Sequence, residues 1–89
     1  MAFQSKNLSV IGYANGFTLW HYATADAAAA VDTSGYFNGA SNMLRVGDFI
    51  LANASTGGTP ENGVLVVLTN ASGVVDASNL TAFGGSNTD

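Results

Sequence analysis

"GFTLWHYATAD", residues 16–26, holds the chain's only tryptophan, Trp20, beside its only histidine, His21. Read with a period of two, Phe17, Leu19, His21 and Ala23 face one side, and Thr18, Trp20, Tyr22 and Thr24 face the other. Aromatic and β-branched residues dominate, and no helical stripe runs through the segment, so it reads as a strand. Both faces carry large apolar groups. A strand of this kind is covered twice, once by its own core and once by something else.

Working outward, Asn15-Gly16 is a strong turn signal because both residues accept positive φ. It joins this strand to "LSVIGY" (8–13), and the two form a predicted hairpin. On the other side, "TADAAAAVD" (24–32) is ambiguous, since alanine favours helix but so short a run barely nucleates one. In "DTSGYFNGASNMLRVGD" (32–48), Tyr36, Phe37, Ala40, Met43 and Leu44 fall at helical spacing. A short helix is expected there, capped by Thr33 or Ser34 and ended by Gly47, though Gly35 and Gly39 each weaken it by roughly 1 kcal/mol relative to alanine.

The second half is punctuated like a β-meander. "DFILANA" (48–54) is a strand, "STGGTPENG" (55–63) a loop, "VLVVLTN" (64–70) a buried strand and "ASG" (71–73) a turn; "VVDASNLTAF" (74–83) opens with a strand. Exposed on an edge, "VLVVL" would template aggregation, so it belongs in the centre of a sheet or under another subunit. Asn-Ala-Ser recurs at 53–55 and 70–72 after an apolar strand, which predicts two similar turns. The expected fold is mainly β (α+β): a single small domain over 1–89, a compact β-roll or barrel-like body with one short helix. Residues 1–6 and 84–89 are expected to be flexible ends.

Composition bounds the function. The chain has 89 residues, no cysteine and net charge −4, and only 9% of its residues are charged, against roughly 25% in an ordinary domain. A core this small stabilises weakly and is usually supplemented by disulfides, a metal or oligomerisation. Without cysteine, and with one histidine and six scattered carboxylates, oligomerisation is the expected route. A surface poor in charge desolvates cheaply against a partner. Two basic residues, Lys6 and Arg45, do not make a nucleic-acid surface. No segment approaches the roughly 20 apolar residues of a membrane span. The start "MAFQSKNLSV" lacks the pattern of a signal peptide, so a cytoplasm, or a particle assembled in one, is the expected location.

Little in the chain reads as reactive. His21 lacks a nucleophile elbow or metal-ligand spacing around it and is expected to be a packed or hydrogen-bonded structural residue. Asp26, Asp32, Asp48, Glu61 and Asp76 mostly fall at turns and element ends, where carboxylates cap and shape loops. "ASTGGTPENG" lacks the Lys-Ser/Thr of a phosphate-binding loop. The four Asn-X-Ser/Thr triplets, at Asn7, Asn53, Asn70 and Asn79, read as turn chemistry. No catalytic residue, metal ligand or cofactor site is assigned. Phe17, Leu19, Trp20, Tyr22, Val64 and Val66, from the two most apolar strands, are the candidate oligomer or capsid interface.

Three stretches, "NLSVIGYANGFTLWHY" (7–22), "VDTSGYFNGASNMLRVGDFI" (31–50) and "GVLVVLTNASGVVDASNLT" (63–81), resemble small structural proteins of tailed bacteriophages. The "NGFTLWHY" strand, the "GYFN" that reads as a helix start and the "VGD" ahead of the next strand carry the likeness. The resemblance implies a virion component, a capsid decoration or cement protein on the capsid exterior, assembled in the host cytoplasm. It implies a homo-oligomer, a trimer first, that bridges capsomers of the major capsid protein. A tail or fibre accessory protein binding host glycans through exposed aromatics is the alternative, and a small hydrolase using His21 is the competitor from the enzyme class.

Overall fold

The computed structural model describes residues 3–83. Asn15 (φ 52°) and Gly16 (φ 84°) take the left-handed conformation that a two-residue hairpin loop requires. They join β1 (Leu8–Ala14) to β2 (Phe17–Ala23) in an antiparallel pair with an irregularity at Ile11. The chain then crosses over through α1 (Ala28–Val31) and a series of turns. β3 (Phe49–Ala54) returns parallel to β2, with Leu19 beside Phe49 and Trp20 beside Ile50. β4 (Glu61–Ala71) pairs antiparallel with β3 and then with β5 (Val74–Ala77). The loop between β4 and β5 repeats the first hairpin, with Ser72 (φ 55°) and Gly73 (φ 80°). A short β6 (Thr81–Ala82) adds to the start of β4.

Among the described residues the fold is mainly β, with 46% strand, a single short α-helix and one six-stranded sheet. Its order, β1-β2-β3-β4-β5 with β6 beside β4, leaves the sheet open rather than closed into a barrel. "VLVVL" lies in β4, flanked by β3 on one side and by β5 and β6 on the other, so its backbone is covered. The Asn-Ala-Ser triplets do make related turns, with Ser55 and Ser72 both at positive φ.

One face of the sheet is the core. Tyr22, Ile50, Ala52, Ala54, Leu65, Val67, Val75 and Ala77 pack there against Val31, Phe37, Ala40 and Leu44 of the crossover. Phe3 stacks on Tyr22 at 5.4 Å between centroids and meets Phe37 edge-on at 5.5 Å. Tyr36 and Phe37 complete the cluster at 5.0 Å. Edge-to-face pairs of this kind add about 1 kcal/mol each beyond their burial. Phe3, within the segment expected to be flexible, is therefore packed on the core, and Gln4 N–H also donates to the Tyr22 hydroxyl at 3.1 Å; residues 1–2 lie outside the described residues. Residues 84–89 lie outside the described residues.

The helix is not where helical spacing placed it. Residues 33–47 form turns with one 3-10 segment, Asn38–Ala40, whereas the alanine run supplies α1. The spacing did identify the inward side, since Phe37, Ala40 and Leu44 are buried; Met43 is exposed. Side-chain hydrogen bonds displaced the helix. Gly35 adopts φ 90°, and the Asn38 side chain turns away to accept from Val75 N–H at 2.8 Å. Asn70 Nδ2 donates to the carbonyls of Ser41 (2.7 Å) and Leu44 (2.6 Å). At α1, Glu61 Oε1 accepts from Ala28 N–H at 2.8 Å, the start that Ala27 has no side chain to cap.

Candidate interaction surface

Alternation along β2, β3 and β4 sends every second side chain away from the core. The register then fixes which of them meet. Leu19 lies beside Phe49, and Phe49 beside Val66; His21 lies beside Leu51, and Leu51 beside Val64. Phe17 joins this row through its ring, 5.4 Å from that of Phe49. The crossover packs on the opposite side, so no described element covers this face. Its residues are half-buried by their sheet neighbours alone, and Phe49 remains 42% exposed.

The face is graded. At one end are Phe17, Leu19, Phe49 and Val66. At the other, His21 Nε2 meets Asn53 Oδ1 at 2.7 Å, and Asn53 Nδ2 donates to Asn62 Oδ1 at 2.7 Å. That chain satisfies the polar groups locally, and none of these side chains bears a formal charge with His21 neutral. Bringing such a surface against a partner requires no ion to be desolvated.

Four of the six expected interface residues, Phe17, Leu19, Val64 and Val66, are brought together on this face. Two are not. Tyr22 is fully buried in the core and Trp20 lies on the core side as well. The expected set mixed the two faces of one strand. Phe49 and Leu51 were missed, although "FILANA" alternates just as "FTLWHYA" does and carried the same signal.

Trp20 is held by Asp48, a buried carboxylate. Asp48 Oδ2 accepts from Trp20 Nε1 (3.1 Å) and Arg45 N–H (3.0 Å), and Oδ1 from Thr18 N–H (3.0 Å). Its carbonyl accepts from Val67 N–H, and the neighbouring Gly47, at φ 93°, donates to Val67 O. "VGD" is thus the junction that aligns β2, β3 and β4. "GYFN" has an equally structural use. Tyr36 Oη donates to Asp26 at 2.6 Å and contacts Tyr22 Oη at 2.9 Å. Burial, then the hydrogen bond to Asp26, then that to Tyr22 push the Tyr36 phenol well above the usual tyrosine range.

His21 contacts an amide, not a carboxylate, through Nε2. A groove of about 390 Å³ between α1 and β6 is lined by Asp32, Pro60, Glu61, Asn62, Leu80 and Phe83; His21 is not among the lining residues, and the ionisable groups there are the carboxylates of Asp32 and Glu61. Among the described residues, no group of three His, Cys, Asp or Glu is placed to hold a metal ion, and no helix is long and apolar enough to cross a membrane. Comparison with protein-family models, curated proteins and solved structures finds no match to this chain.

Proposed function

We propose that this chain is a structural protein of a tailed-phage particle, a homo-oligomeric decoration protein that seats its open sheet face on the major capsid protein at the capsid exterior. The observation that carries the reading is the uncharged, largely apolar face of β2, β3 and β4, which no described element covers, in a chain whose core is small. Of the twelve buried hydrophobic residues among those described, four are alanines. Such a domain gains from further burial, and at about 25 cal/mol per Å² of apolar surface each docked copy contributes modestly. Repeated over a symmetric shell strained by packaged DNA, modest contacts accumulate. The likeness of "NGFTLWHY", "GYFN" and "VGD" to small phage structural proteins supports the same reading; "GYFN" and "VGD" are spent on folding, while "NGFTLWHY" also sends Phe17 and Leu19 to the open face. That division of labour suits a protein that acts by packing.

The glycan-binding alternative needs an aromatic platform; Trp20 is engaged by Asp48 on the core side, which leaves it the Phe17 and Phe49 rings of the open face. The enzyme reading needs a partnered His21, which here has an amide neighbour. The test is the number of copies in purified particles, counted by quantitative mass spectrometry. Hundreds per particle are expected. A handful would indicate the tail, and none would overturn the proposal.

A further inference from the structure

The two ends of the sheet are treated differently. At the β5 end, Gly35 N–H donates to Val75 O at 2.9 Å and Val75 N–H donates to Asn38 Oδ1 at 2.8 Å. The "GYFN" turn therefore occupies the edge of β5 as a pairing strand would, and β5 is only four residues long and carries Asp76. A short, covered edge with a charge on it does not recruit another strand. At the other end, β1 is seven residues long and, among the described residues, pairs with β2 alone. It contains no charge and no proline. Val10, Ile11 and Tyr13 are 59%, 55% and 66% exposed. β1 has a row of free backbone groups, apolar side chains in solvent and none of the usual devices that blunt an edge, apart from the irregularity at Ile11.

We propose that β1 pairs with β1 of a second copy of this chain, antiparallel about a two-fold axis. The occupant follows from three features. The strand is neutral, so two copies approach without repulsion between the paired segments, although each chain carries net charge −4. The blocked β5 edge and the two-residue β6 leave no complementary edge long enough for head-to-tail addition among the described residues, so the contact is between like strands and closes at two. A thin core without disulfides needs burial from the one partner that is always present, another copy of itself. An antiparallel edge contact places the two-fold axis normal to the sheet. Both open faces then lie on the same side of one continuous sheet. The dimer thus presents two docking faces at once, and avidity strengthens weak seating on a larger surface. The pairing itself stands apart from the phage reading, because it is measured on purified protein.

Sedimentation equilibrium of the purified chain tests it. A dimer is expected, and Tyr13→Lys, which sets like charges along the paired edges, should weaken it by at least about tenfold. Leu51→Glu, on the open face, should leave the dimer intact. The chain has no cysteine, so single cysteines at Val10, Ile11 and Gly12 provide a second measurement that does not depend on the lysine variant folding. At least one should cross-link to a dimer under mild oxidation, and Leu51→Cys should not. A monomer, the trimer implied by the family resemblance, or a dimer broken by Leu51→Glu and insensitive to Tyr13→Lys would each overturn the edge pairing. A β1-paired dimer absent from every particle would keep this inference and overturn only the proposed function.

Discussion

Asp48 shows how one side chain can organise a sheet. It is 1% exposed and its carboxylate accepts two backbone N–H groups and the Trp20 ring N–H. Asp48→Ala would leave three donors without their acceptor, at about 1–3 kcal/mol for each one that stays buried. A loss of about 3 kcal/mol or more in urea unfolding is expected, and a loss under about 1 kcal/mol would mean that water replaces the carboxylate. Tyr36 gives a pH dependence whose sign follows from its raised phenol. Below the ordinary value of 10.0 both folded and unfolded chains hold the proton. Above it the unfolded chain releases the proton while the folded one retains it, so stability falls as pH rises past 10.0. Melting temperature followed from neutral to strongly alkaline pH should drop less steeply in Tyr36→Phe than in the native chain. Equal slopes would remove Tyr36 as the cause. Neither residue's role was legible in sequence, because an aspartate before a strand and a tyrosine in a turn look the same whether their partners are distant residues or water.

Among the elements, β1 to β4 and the two-residue hairpins were readable because alternation in β2, apolar and β-branched runs in the other strands, and Asn-Gly or Ser-Gly turns are local signals. The parallel pairing of β2 with β3 was not, since it depends on how residues 24–48 cross the core. The misplaced helix follows from the same limit. Helical spacing in 36–44 reports which residues face inward, but Asn38 and Asn70 draw the backbone into turns through bonds to residues remote in sequence. β6 is held by close approach at Gly63, where a Cβ would overlap the Thr81 carbonyl and crowd Leu80. Gly63→Ala should therefore detach β6 and cost about 1–3 kcal/mol, in the range of other overpacked sites. Hydrogen exchange at Phe83, whose N–H donates to Asn62 O at 2.8 Å, should speed up in that variant while exchange at Ile50 is unchanged. Unchanged protection at Phe83 would show that β6 shifts without separating.

For the whole molecule, the open face and the free edge make different demands on solution behaviour. Self-association stabilises by mass action, so the melting temperature should rise with protein concentration in the native chain. It should become independent of concentration in Tyr13→Lys. On the open face, Leu51→Glu adds a charge where the proposed function seats the capsid. Because Leu51 is half-exposed, the isolated protein should keep its circular dichroism and cooperative unfolding, while co-sedimentation with undecorated capsids is lost. Retained binding would move the docking surface away from this face.

What the sequence determined by itself was the class of answer. Alternation, turn residues and sparse charge specify a small β-sheet with more apolar surface than its own core can absorb, because these are properties of neighbouring residues and of the composition. The division of that surface belonged to the tertiary structure. Whether Trp20 and Tyr22 lie inside while Phe17 and Leu19 lie outside depends on which face the crossover covers. Whether β1 or β5 is the open edge depends on where the "GYFN" turn docks. Both are set by contacts between residues far apart in the chain, and no local pattern carries them.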